Sequence, residues 1–155
     1  MDQRVRDILA LGRSDRTTDH AQTAVQHAVG AADEFGDSCV DSCHILLGLY
    51  LVDGFSVAAN VLSHLELPEF ELRRRLAGRN RVHCSSPLGI DDDVPVVFTE
   101  ALAGADRMHH RHIGTEHLLL GVVASKTKSV NLLAGFGIAP DAVTHEVLGL
   151  MGWLR

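Results

Sequence analysis

"VDSCHILLGL", residues 40–49, and "IGTEHLLLGV", residues 113–122, decide how this chain is read. They align without gaps at a constant offset (44 to 117, 48 to 121), which places His44 on His117, Leu46 and Leu47 on Leu119 and Leu120, and Gly48 on Gly121. Val40/Ile113, Ser42/Thr115, Ile45/Leu118 and Leu49/Val122 are conservative pairs. Only Asp41/Gly114 and Cys43/Glu116 change in kind. The register holds outward, from Ala28 and Ala32 on Ala101 and Ala105 to Ser56-Val57 on Ser129-Val130. A tandem duplication is the economical reading, and it implies the same set of elements twice.

Those elements read as helices. Ala21, Ala24, Val25, Ala28, Val29 and Ala32 recur at helical spacing and form one apolar stripe, with Thr18 as N-cap and Asp19 near the positive end of the helix. In the second half Val97, Phe98, Ala101, Leu102 and Ala105 repeat the stripe, Asp93 is the expected cap and Pro95 sits in the first turn. The leucine-rich helices start at Ser42 and Thr115. A third helix follows in "SVAANVLSHL" and "SVNLLAGF", and a fourth in "PEFELRRRL" and "PDAVTHEVLGLM". Val5, Ile8 and Leu9 predict a short extra helix over residues 4–12. No segment alternates apolar and polar residues as a strand would. The expected fold is all-α: an N-terminal extension (1–16), repeat one (17–78), a Gly-, Ser- and charge-rich linker (79–92) and repeat two (93–155), two four-helix units about a pseudo-twofold axis.

Composition narrows the function classes. With 46% hydrophobic and 22% charged residues the chain is an ordinary globular protein. A net charge of −6 argues against a general nucleic-acid binder. No apolar run approaches the ~18 residues that span a bilayer, and the charged start "MDQRVRDILALGRSDR" has no signal-peptide segment. Three cysteines, Cys39, Cys43 and Cys84, leave one unpaired whatever the pairing, and are expected as free thiols in a reduced, cytoplasmic protein.

Polar clusters offer little catalytic chemistry. His109, His110, His112 and His117 lie close together, but H-E-x-x-H is absent and His117 recurs as His44, where no such cluster exists. The shared histidine is therefore expected at a helix start with one ring nitrogen hydrogen-bonded, and no metal or cofactor is implied. Cys39, Cys43 and His44 would be the residues of a thiol- or metal-dependent enzyme, the alternative from another class. Phosphate-binding loops and nucleophile elbows are missing. The chain is expected not to be an enzyme.

The repeated pattern closely resembles the Clp N-terminal repeat domain of ClpA-, ClpB- and ClpC-type AAA+ unfoldases. "TTDHAQTAV" (17–25), "HIGTEHLLLG" (112–121), its altered twin "CVDSCHILLG" (39–48) and "SVAANVLSHLEL" (56–67) carry the resemblance, which covers roughly residues 17–152. It implies a non-catalytic module that binds protein substrates or adaptors for a Clp ATPase–protease complex in regulated proteolysis or quality control, with no nucleic acid and no membrane. No ATPase motif is present in the 155 residues, so the resemblance implies an excised N-domain or a stand-alone relative. A stand-alone protein could also act as a decoy or regulator competing with a full-length ClpC.

In the ClpC branch each repeat offers a pocket for phosphorylated arginine, built from the threonine that opens the first helix and the glutamate of G-T-E-H. Transferred repeat by repeat, repeat one keeps Thr18 but has Cys43 for the glutamate, and repeat two keeps Glu116 but has Asp91 for the threonine. On that pairing neither pocket is complete. Asp91, Asp92 and Asp93 would repel a phosphate beside Glu116, so plain arginine or another cation is the expected ligand there.

Overall fold

A computed structural model describes residues 2–52, 56–84, 86–124 and 127–152. The end of repeat two, residues 153–155, and Ser85 of the linker lie outside them. Nine α-helices form among the described residues: α1 Gln3–Leu11, α2 Asp19–Glu34, α3 Ser42–Tyr50, α4 Val57–His64, α5 Glu69–Gly78, α6 Asp93–Arg107, α7 Thr115–Ala124, α8 Lys128–Ala134 and α9 Pro140–Leu150. The fold is all-α, with α2–α5 answered by α6–α9.

The starts follow local chemistry. Thr18 accepts the Ala21 N–H at 3.2 Å and opens α2, and Ser56 accepts the Ala59 N–H at 3.2 Å and opens α4. The short first helix buries Val5, Ile8 and Leu9, as its spacing predicts. Asp93 is a correction. It does not cap α6; its carboxylate leaves the helix and bonds Ser42.

Helices α3 and α7 are apolar around most of their circumference and form the centre of the core. Ile45, Leu46, Leu47 and Leu49 of α3 are buried, as are Leu118, Leu119, Val122 and Val123 of α7. Leu120 is only partly buried, at the edge of the same cluster. The recurring glycine has a steric cause: a Cβ on Gly48 would lie 2.2 Å from the Ala24 carbonyl oxygen, and one on Gly121 2.2 Å from that of Val97. Each glycine thus lets the first long helix of its repeat, α2 or α6, press its backbone onto α3 or α7.

The two halves are stitched crosswise. Thr17 pairs in a parallel bridge with Ile113, and Ile90 with Val40. The Thr18 N–H donates to Ile113 O at 3.0 Å and the Ile113 N–H to Arg16 O at 2.8 Å. Across the pseudo-twofold axis the Asp91 N–H donates to Val40 O at 2.8 Å and the Val40 N–H to Gly89 O at 2.9 Å. The start of the first helix in each repeat therefore lies beside the start of the leucine helix in the other.

Of residues 79–92, expected as a linker, residues 79–84 pack as a strap over the α2–α3 turn. The Ser38 N–H donates to Val82 O at 3.1 Å, and the Val82 N–H to Asp37 Oδ1 at 2.9 Å. A disulfide between Cys39 and Cys84 fastens the strap. This overturns the expectation of free thiols for both residues, because tertiary packing brings together cysteines 45 positions apart. Cys43 is the free cysteine, and it is buried.

Candidate functional site

The leucine helices begin in the same way in both repeats. The ring Nδ1 of His44 accepts the Asp41 N–H at 2.9 Å, and Nδ1 of His117 accepts the Gly114 N–H at 2.9 Å. Both imidazoles are buried third residues of their helices, which explains why the histidine recurs. Each Nε2 finds a different partner: Asp37 Oδ2 at 2.8 Å for His44, and Nδ1 of His110 at 2.8 Å for His117. His112 stacks on His110 with ring centroids 5.4 Å apart. Among the described residues no His, Cys, Asp or Glu group is arranged to hold a metal ion.

The two pairs that change in kind compensate each other. In repeat one Asp41 accepts the N–H groups of Cys43 and His44 at 2.9 and 3.2 Å, with the Arg79 guanidinium 3.1 Å from its other oxygen. In repeat two position 114 is glycine, and the Glu116 carboxylate folds back over it. A Cβ on Gly114 would lie 1.9 Å from Glu116 Oε1. One carboxylate thus serves each helix start, moved two positions along the chain.

The repeat-two carboxylate is incompletely satisfied. Glu116 is 9% exposed, and its Oε1 is buried without a hydrogen bond. His117 Nδ1 lies 3.0 Å from it, but that lone pair already receives the Gly114 N–H, so a neutral His117 has no proton to offer there. A buried carboxylate oxygen in this state costs about 1–3 kcal/mol or more until a donor reaches it.

Around Glu116 lies a pocket of about 170 Å³, lined among others by Thr18, His20, Ser56, Val57, His112 and Thr115. Crosswise stitching brings the starts of α2, α4 and α7 to one place, each with helix-end N–H groups and a positive dipole end. Thr115 Oγ1 also accepts the Ala58 N–H at 3.3 Å, tying α4 to α7.

Thr18 and Glu116, assigned to separate repeats and separate pockets by sequence, therefore line one pocket. Asp91 and Cys43 fall on the opposite side of the pseudo-twofold axis. Asp91 pairs with Lys128 Nζ at 3.1 Å, and Cys43 is buried at the start of α3. The aspartate run does not face Glu116, which removes the expected repulsion of a phosphate. Ser56, Val57, His20 and His112 were missed, although the Ser56–Val57 match between repeats was a usable signal.

The thiol-enzyme alternative finds no reactive group. Cys39 is in the disulfide, both ring nitrogens of His44 are engaged, and burial with the Asp41 charge pushes the Cys43 thiol up to about 12.

The Clp repeat (R) N-terminal domain profile matches residues 16–126. The chain belongs to this family. Among relatives of this Clp N-domain, a probable ATP-dependent Clp protease ATP-binding subunit of Chlamydia pneumoniae is 30% identical over 140 residues, 86% of this chain and 16% of that protein. ClpC/MecB of Bacillus subtilis, named a negative regulator of genetic competence, is 28% identical over 141 residues, 88% of this chain and 17% of its own length. The chain thus spans about a sixth of these relatives. The fold is shared with the N-terminal domain of the chaperone ClpD from Arabidopsis thaliana (TM-score 0.70, 18% identity, 89% of this chain and 96% of that one). The Hsp104 N-terminal domain from Candida albicans is equally similar (TM-score 0.70, 16% identity, 90% and 93%). No helix among the described residues is long and apolar enough to cross a membrane.

Proposed function

We propose that this Clp N-domain is a non-catalytic recognition module that captures protein substrates or adaptors for a Clp ATPase, and that it reads phosphorylated arginine in the Thr18–Glu116 pocket. The carrying observation is the buried, unbonded Glu116 oxygen beside three converging helix starts. A guanidinium supplies planar paired donors to a carboxylate, and helix-end N–H groups suit a phosphate. Phosphoarginine carries both in one side chain, so it satisfies both halves of the pocket together. Plain arginine would satisfy Glu116 alone.

Calorimetric titration with matched phosphoarginine and arginine peptides tests this reading. The phosphorylated peptide should bind at least tenfold tighter, and Glu116→Gln should remove most of its affinity. Equal binding of both peptides, or phosphoarginine binding untouched by Glu116→Gln, would refute it.

A further inference from the structure

The pseudo-twofold axis creates a second place equivalent to the Thr18–Glu116 pocket, at the start of α3. There Ser42 replaces Thr115, Ser129 replaces Ser56, and Asp93 stands where the open pocket has His20. The Asp93 carboxylate turns inward and sits on this helix start. Its Oδ1 accepts the Ser42 N–H at 3.0 Å, and its Oδ2 accepts the Ser42 hydroxyl at 2.6 Å and the Lys128 N–H at 3.3 Å. Ser42 Oγ in turn accepts the Ser129 N–H at 3.1 Å. These are the contacts that a bound oxyanion would make at a helix start, here made by the chain's own side chain.

We infer that Asp93 is a built-in anion that closes the second pocket, so that the domain takes one phosphorylated ligand rather than two. The inference rests on the reading of the open pocket for what that ligand is, and on Asp93 for the count. Charge around this helix start is set against an outside phosphate. Lys128 Nζ lies 3.1 Å from Asp91 and 3.8 Å from Asp41, and Arg79 is committed to Asp41 and Asp37. Among the described residues no cation is left there to draw in an outside phosphate. The position of Glu116 is also lost, because Cys43 presents no carboxylate to a guanidinium. His20, by contrast, lines the open pocket and carries no negative charge into it.

Amide chemical shifts of the full chain, titrated with inorganic phosphate, test the plug. In the wild type, phosphate should move the Thr18, Val57 and Thr115 amides and leave those of Ser42, Lys128 and Ser129 in place. In Asp93→Ala the second set should move as well, at phosphate concentrations at least tenfold below any that move it in the wild type. Asp93→His copies the residue of the open pocket and should behave alike, which keeps the test decisive if the alanine variant unfolds. Phosphate at Ser42 in the wild type, or no response there in either folded variant, would overturn the inference. Silence at Thr18 and Thr115, with Ser42 responding only in the Asp93 variants, would count against the open-pocket reading and uphold the plug.

Discussion

Thr18 and Glu116 line one pocket although each belongs to a different repeat, because the Thr18 N–H is bonded to Ile113 O, just ahead of the helix that carries Glu116. Assigned repeat by repeat, the same residues describe two broken pockets. Stitched crosswise, they describe one pocket with both residues and one that its own aspartate fills.

Gly114 gives the Glu116 carboxylate its seat. In Gly114→Ala the new methyl would fall 1.9 Å from Oε1, so the carboxylate must leave. Affinity for a phosphoarginine peptide should drop at least tenfold, about 1.4 kcal/mol, with the helical circular-dichroism signal retained. Unchanged affinity would show that the seat is irrelevant.

Close packing of α2 on α3 predicts opposite effects for two glycines of repeat one. Gly48→Ala should destabilise by roughly 1–3 kcal/mol, since the methyl meets the Ala24 carbonyl. Gly30→Ala, with nothing within 4 Å of its new methyl, should stabilise by about 0.4–1 kcal/mol. Leu119→Ala should cost ~2–5 kcal/mol. Urea unfolding of the three variants would measure all of this, and a neutral Gly48→Ala would contradict the backbone contact.

Asp41 sets an acid limit. Burial alone would raise its carboxyl, but the Cys43 and His44 backbone N–H groups and the Arg79 guanidinium outweigh burial and hold it well below the usual carboxylate range. A folded pKa below the unfolded one adds stability above about pH 4, and that stability is lost as pH falls further. Asp41→Asn should therefore cost ~3–5 kcal/mol near neutrality, as for a broken buried pair. The gap in Tm to wild type should shrink below about pH 4. A gap that widens on acidification would reverse the assigned sign.

The strap depends on its disulfide. Dithiothreitol, or Cys84→Ser, should lower stability by ~2–4 kcal/mol. Unreduced protein unfolded in guanidinium should release a single thiol to a colorimetric reagent, that of Cys43. Three released thiols would show that the bridge does not form.

Much of this fold was legible because its signals are local. Apolar spacing in residues 19–34 and 93–107, the cap at Thr18, and the recurring His-(Leu)-Gly pattern act within a turn or two of helix, so the residues in question are near one another in sequence. The recurrence of His44 as His117 also foretold their shared place at a helix start. Asp93 misled because a carboxylate near a helix start reads as a cap, whereas Ser42, brought close only by packing, offers it a hydroxyl and an N–H together.

By itself the sequence determined the all-helical repeats and their register. Those properties depend on helical periodicity, capping and side-chain size, all of which act over short chain distances. Only the tertiary structure decided that Thr18 meets Glu116, that Asp93 fills the opposite pocket, and that Cys39 reaches Cys84. Each is a contact between segments far apart in the chain, and its partner is chosen by how two nearly identical repeats cross. A repeat pattern matches a residue to its counterpart across the axis, but packing chooses its neighbour in space, and here the two are different residues.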